Sequence, residues 1–182
     1  VLTAVFAPVI APRDPIYAVM NDSLKAPCAE YICGADKLGR DVLSRVIFGT
    51  RSSLTMTLSL VAVVFVVGTS LGVISGFFGG AVDEIIMRIS DMMISFPGLV
   101  LAIAIAGLLG PNMVNAVLAI AVVSWTKYAR LSRSLVIKVK NSVFIEAAIL
   151  SGTKTHNIIL RHILPNIIST MIITAASDIG TM

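Results

Sequence analysis

Residues 54–73, LTMTLSLVAVVFVVGTSLGV, carry no charge over twenty positions. At about 1.5 Å of rise per residue a helix of that length covers about 30 Å, the hydrocarbon thickness of a bilayer. The rest of the chain agrees: 57% of its residues are hydrophobic and 13% are charged, against about a quarter charged in a soluble domain. The chain therefore reads as an integral membrane protein. In lipid every backbone amide must find its partner inside the protein, which leaves helices or closed barrels. The apolar runs are too long and continuous for barrel strands. The expected fold is all-α, a polytopic membrane helix bundle. Net charge is +4, and the basic residues flank spans, which argues for membrane topology rather than nucleic-acid binding.

The chain opens inside an apolar run, and residues 1–11 read as the end of a first transmembrane helix that starts before the sequence does. The run carries neither a charged n-region nor a clean cleavage site, so it is not read as a signal peptide. Pro8, Pro12 and Pro15 stop regular helix, and residues 12–53 form a polar loop. Cys28 and Cys33 lie in it. Free thiols, a disulfide if the loop lies outside the cytoplasm, and a soft-metal role all stand open, although four intervening residues is not a strong zinc spacing. From Gly34 to Leu54, Leu38, Val42, Arg45, Val46 and Gly49 recur at helical spacing. Asp41 and Arg45 are an i,i+4 acid–base pair, so a basic amphipathic helix at a membrane surface is expected.

In the span that follows, Gly68, Gly72 and Gly76 recur every fourth residue. Either a partner helix approaches closely there, or these are the ordinary glycines of a membrane helix. Residues 75–81 read as a glycine-rich turn, after which Asp83, Glu84, Arg88 and Asp91 precede an apolar run kinked at Pro97. Arg88 and Asp91 share a face and are expected to pair. Pro111 and Asn112 connect to a span over residues 113–125, with Trp125 and Tyr128 placed as an aromatic belt. Lys127, Arg130, Arg133, Lys138, Lys140, Lys154 and Arg161 surround one acid, Glu146. That excess marks the region as cytoplasmic, while the loop at 13–53, with six basic and five acidic residues, lies opposite. The last span opens at Asn166 and runs to the end of the sequence with Asp178 inside it. An ionisable residue there is a candidate for the translocation path or an outer-interface carboxylate.

The most specific stretch is FIEAAILSGTKTHNIILRHILPN, residues 144–166. It reads as a short helix with Ile145, Ala148 and Ile149 on one side, a turn at Gly152, a second helix from Thr155 to Leu164, and Pro165 at the start of the next span. This pattern resembles the EAA loop of ABC importer permeases: Glu-Ala-Ala, three residues, Gly, nine residues, Ile, one residue, Leu-Pro. Glu146, Ala147, Ala148, Gly152, Leu164 and Pro165 match; His162 stands where Ile is expected, with Ile163 beside it. A second resemblance, to the Gly-Thr-Asp, two residues, Gly-Arg-Asp form of the peptide and nickel branch, falls on Gly34, Asp36, Gly39, Arg40 and Asp41, with Ala35 in place of Thr.

The resemblance to the binding-protein-dependent permeases of nickel, dipeptide and oligopeptide importers implies a type I ABC importer fold, of which this chain is a fragment of a six-helix subunit. It implies an extracytoplasmic loop at 12–53 and a permease core at 54–182 with its coupling loop at 141–165, in a bacterial or archaeal cytoplasmic membrane. It implies a second permease subunit, two ATPase subunits that use ATP and magnesium, and an external substrate-binding protein on the side of Gly34–Asp41. The chain itself lacks a phosphate-cradling glycine loop, and no cofactor, metal or catalytic residue is expected on it. Branch-level similarities around Trp125, Arg133 and Asp178 lean the cargo toward nickel, with di- or oligopeptides as the alternative. The rival classes are an ATP-independent channel or carrier and a membrane enzyme. Against the enzyme, His156 and His162 lack the spacing of a metal-binding helix.

Overall fold

The computed structural model describes residues 2–181, so the expectations resting on Val1 and Met182 lie outside the described residues. The chain divides into two compact units, up to Thr57 and from Leu58 onward. In the first unit, α1 (Leu2–Val5) and α2 (Ala7–Ile10) are single turns separated at Phe6, with Pro8 at the start of α2. Beyond them the chain is irregular apart from a 3-10 turn at Met20–Asp22.

This loop is organised around Tyr31, which is 1% exposed. Its hydroxyl donates to Asp22 Oδ2 at 2.7 Å, and the Arg13 guanidinium lies 4.3 Å over its ring. Arg13 also pairs with Glu30 at 2.9 Å, and Lys25 reaches Asp22 at 3.2 Å and Glu30 at 3.3 Å. Cation–π contact and ion pairing thus anchor a segment with little apolar core. Cys28 and Cys33 are both exposed free thiols.

Instead of a separate surface helix before the first full span, one helix, α3 (Val42–Phe78), runs for 37 residues. Asp41 is buried at its start and accepts from the Ser44 amide at 2.8 Å, an N-cap. Arg45 accordingly does not pair with Asp41; its Nε lies 3.6 Å from Asp36.

The second unit is built on α6 (Met113–Lys140), a 28-residue helix N-capped by Asn112, whose side chain accepts from the Val114 amide. The backbone of α3 lies directly against it. A Cβ at Gly68 would sit 2.6 Å from the Trp125 carbonyl oxygen, and one at Gly76 would sit 2.9 Å from that of Arg133. At Gly72 the Ala129 carbonyl is closer still. The every-fourth-residue glycines are therefore a packing face, since any side chain there would collide with backbone.

The break after α3 is one residue wide. Gly79 takes φ +66, and α4 (Gly80–Ser95) begins at once. Pro97 does more than kink the next run: α4 and α5 (Gly98–Leu109) are separate helices bent by 93°. A proline ring disfavours α geometry in the residue before it, and here the chain turns extended at Phe96.

After α6 come α7 (Val143–Leu150), α8 (Thr155–Asn157), a π-helical stretch over Ile158–Ile163 and α9 (Leu164–Thr181). Two apolar layers fill the unit. One joins Val73, Val136, Ile145, Ile158, Ile163 and Ile167, and the other joins Leu60, Val64, Ala121, Tyr128 and Met171. Tyr128 is 1% exposed, so it is a core residue and not part of an aromatic belt.

Among the described residues, two helices are long and apolar enough to cross a membrane unaided, Val42–Phe78 and Thr155–Gly180, or three spans if the bent α4–α5 pair is one. The span expected at 113–125 is not among them, because α6 carries Lys127, Arg130 and Arg133 in its second half.

Each of those cations has a carboxylate partner. Lys127 Nζ lies 2.5 Å from Asp178 Oδ1, Arg133 makes a two-pronged contact with Asp83 at 2.5 Å, and Arg130 pairs with Asp91 while donating to Ser90 Oγ at 3.1 Å. Arg88 pairs with Glu84 at 3.4 Å and not with Asp91, whose partner on α6 is the stronger draw.

The close approach of α3 to α6 makes a prediction. Gly72→Ala should destabilise the bundle by about 1–3 kcal/mol, the usual cost of overpacking. Gly107→Ala, where a new methyl meets nothing within 4 Å, should leave stability unchanged or raise it. Thermal unfolding of the two variants in detergent measures the difference, and equal midpoints would contradict the packing assigned to α3.

Candidate functional site: the loop between α6 and α9

The polar island folds as two short helical pieces with a defined stop between them. α7 begins at Ser142 and ends in a Schellman turn. The Thr153 amide donates to the Ala148 carbonyl at 3.1 Å and the Gly152 amide to that of Ile149 at 2.9 Å, with Gly152 at φ +75. An L side chain rarely adopts that backbone, so glycine is the residue the turn requires.

One residue of α7 anchors it. Ile145 is fully buried against Val136, Ile158 and Ile163. The remainder faces outward: Glu146 and Ala147 are exposed, Ala148 is half-buried, and Val143, Phe144, Ile149 and Leu150 are 81%, 47%, 53% and 89% exposed. Ile149 therefore does not join Ile145 on the inward side. A helix held by one buried isoleucine presents an acid, two alanines and four large apolar side chains to its surroundings. Isolated exposed apolar residues are ordinary, but this many on an eight-residue helix make a largely apolar exposed surface.

The second helix does not stop at Pro165. Helix is continuous from Thr155 to Gly180, and the turns before the proline are widened into π geometry over Ile158–Ile163. A proline removes one backbone donor and crowds the carbonyl four residues back. The wider turn moves that carbonyl aside, and the helix goes on. Leu164 packs partly against the lower apolar layer, while Pro165 is exposed. His156 is exposed and His162 half-buried. No group of three or more potential metal ligands occurs among the described residues.

Asp178 is 6% exposed. Besides Lys127 it accepts from the Tyr128 hydroxyl at 2.9 Å. The carboxylate does not stand open to water but is clasped by two residues of α6. Lys127 lies thirteen residues before Lys140 and Asp178 thirteen after Pro165, so both sit about 20 Å along their helices from the loop.

Gly34, Asp36, Gly39, Arg40 and Asp41 come together far along the chain from that loop, and each has a local job. Asp36 accepts from the amides of Leu38 and Arg40 at 2.8 and 3.0 Å and from Arg40 Nε at 2.8 Å. Gly34 and Gly39 take φ +75 and +70, and a Cβ at Gly39 would run into the Val19 carbonyl. Ala35 and Asp41 form an isolated antiparallel bridge. The segment is a self-bonded turn that launches α3.

The hydrogen bonds from Arg40 and Leu38 hold the Asp36 carboxyl down at about 2, below its ordinary 3.8. A carboxyl with a depressed folded-state pKa stabilises above its unfolded value and loses that effect as pH falls through the folded one. The loop should therefore stay ordered at pH 4 and loosen between 3.8 and 2. Pepsin, active over that range, should begin to cut residues 12–41 there and should cut Asp36→Asn already at pH 4. Equal cleavage of the parent at pH 4 and pH 2 would remove Asp36 from the account.

Sequence comparison bears on the same region. The family described as "binding-protein-dependent transport system inner membrane component" matches residues 68–182. The chain is 42% identical to a dipeptide transport system permease protein of Alkalihalophilus pseudofirmus, covering 100% of this chain and 60% of that one. It is 40% identical to a probable D,D-dipeptide transport system permease protein of Escherichia coli K12, over 99% of this chain and 60% of the other. It is 36% identical to the nickel transport system permease protein of the same strain, over 94% and 62%. The chain thus spans about three fifths of the length of these relatives. An all-α bundle with membrane-crossing helices and this match over most of its length together identify it: the chain belongs to the family of binding-protein-dependent transport system inner membrane components, multi-pass proteins of the cytoplasmic membrane.

Proposed function

We propose that the chain is part of the transmembrane permease subunit of an ATP-driven importer, and that α7 is the element through which ATPase subunits drive it. The observation that carries this reading is the form of α7: a helix anchored by buried Ile145, ended by Gly152 at φ +75, and otherwise exposed. Glu146, Ala147 and Ala148 form the contact with an ATPase subunit. Gly152 sets the angle of the loop, and Leu164 and Pro165 join it to α9. When two ATPase subunits close on ATP and magnesium, the pull on α7 passes to α6 and α9, which flank it.

A second permease subunit completes the path, and an external binding protein delivers the cargo, with Gly34–Asp41 on its side. The self-bonding of that turn gives each of its residues a structural role of its own, so contact with a binding protein falls to the surface around it. Chemistry resides in the partners; this chain changes shape.

For the cargo, we favour a short peptide over nickel. Relatives named for dipeptides are 42% and 40% identical, and the relative named for nickel is 36% identical.

The test is uptake by the full-length permease assembled with its partners, comparing a radiolabelled dipeptide with radiolabelled nickel. Glu146→Lys, at an exposed position, should abolish ATP-driven uptake while the protein still inserts in the membrane. Uptake that ignores the substitution, or that proceeds without ATP, would overturn the coupling role and favour a channel or secondary carrier. Nickel uptake lost in the variant would keep the coupling loop and reverse the choice of cargo.

A further inference from the structure

Lys127 and Asp178 are unequal partners. The carboxylate side chain is 8% exposed and the ammonium-bearing one 60% exposed, at 2.5 Å from each other. Each lies about 20 Å along its own helix from the loop. An ammonium bared to lipid would cost about 2.5–3.5 kcal/mol at a bilayer centre by insertion scales. The open side of Lys127 is thus a place for water or for something polar.

A second feature points the same way. Along α9, Asn166, Ser169, Thr170, Thr174 and Ser177 recur at three- and four-residue intervals and so share one side, interrupted by Ile173. All are exposed except half-buried Thr174. Ile172, also exposed, lies on a different arc of the same helix.

Two of these polar groups spend their hydrogens on their own helix. Thr174 donates to the Thr170 carbonyl at 3.0 Å, and Asn166 donates to that of His162 at 2.6 Å. A hydroxyl that has donated keeps its lone pairs. Thr174 thus keeps its oxygen lone pairs for an acceptor role, and the Lys127 ammonium presents donors.

We infer that the polar side of α9 and the exposed ammonium of Lys127 form a wall of the translocation path, with hydroxyl and amide oxygens accepting from peptide N–H groups and Lys127 receiving the peptide's carboxylate. This assignment rests on the importer reading and names the site at which that importer's cargo passes. Asp178 holds Lys127 in place from behind, and the Tyr128 hydroxyl holds Asp178. The ammonium has three donors, and one carboxylate oxygen occupies a single one of them.

The experiment uses the full-length permease with its partners, in a Cys28→Ser, Cys33→Ser background, both of those thiols being exposed. Single cysteines are placed by Thr170→Cys, Ser177→Cys and Ile172→Cys. A membrane-impermeant cationic thiol reagent should modify the first two and block transport, and leave the third unmodified. Resistance of all three, or equal modification at Ile172→Cys, would overturn the wall. The labelling pattern is read directly on the protein, so it stands apart from whether the parent carries dipeptide, which tests the importer reading.

For the carboxylate contact, Lys127→Met should raise the apparent KM for a dipeptide about tenfold, the loss of one charge-assisted hydrogen bond, and shift that for the same dipeptide amide less than about twofold. Equal shifts for acid and amide would remove Lys127 from cargo contact and leave it a strut between helices.

Discussion

Three of the five basic side chains on α6 pair with carboxylates from elsewhere, and the second unit is arranged around those pairs. Lys127, Arg130 and Arg133 rise along α6 a turn apart, and their carboxylates come from α9 and from both ends of α4. Leaving any one of them unpaired in a membrane would be costly. The pairs therefore select which helices surround α6 and at what height, a specification that dispersion between apolar surfaces in lipid cannot supply. On the α3 side, where no ion pair reaches, the glycines do the equivalent work by letting backbone meet backbone.

The same economy appears in the turn before α3. A motif of glycines, aspartates and an arginine invites a reading as a recognition surface. Yet Asp36 is satisfied by the amides and guanidinium of its own turn, Asp41 by the first turn of α3, and both glycines by backbone angles other residues resist. Local hydrogen bonding of short polar side chains is strong enough to account for the whole pattern.

Much of the architecture was legible because lipid leaves few choices. The uncharged run at 54–73, the Gly152 turn and the helical outline of 144–150 all follow from residue-level rules, whereas the turn expected over 75–81 shrinks to Gly79 and the kink expected at Pro97 is a 93° break. What escaped notice were matters of pairing over long sequence separation. Arg88 and Asp91 are neighbours on a helix, yet the partner of Asp91 is Arg130, 39 residues on. Tyr128 looked like an interface residue because it follows an apolar run and precedes basic ones; its burial depends on Asp178, fifty residues away. Asp41 and Arg45 failed to pair because helix capping outbid an ion pair at the surface, where such pairs contribute little.

The wide turn at Ile158–Ile163 is more than an accommodation of Pro165. It stores slack. A π turn holds about one residue beyond α-helical need, and giving that residue back to α geometry would rotate everything past it by about 100° and lengthen the helix by about 1.5 Å. Neither end of the helix would have to unwind. An axial pull on the chain before these six residues would meet a part suited to turning it into a twist.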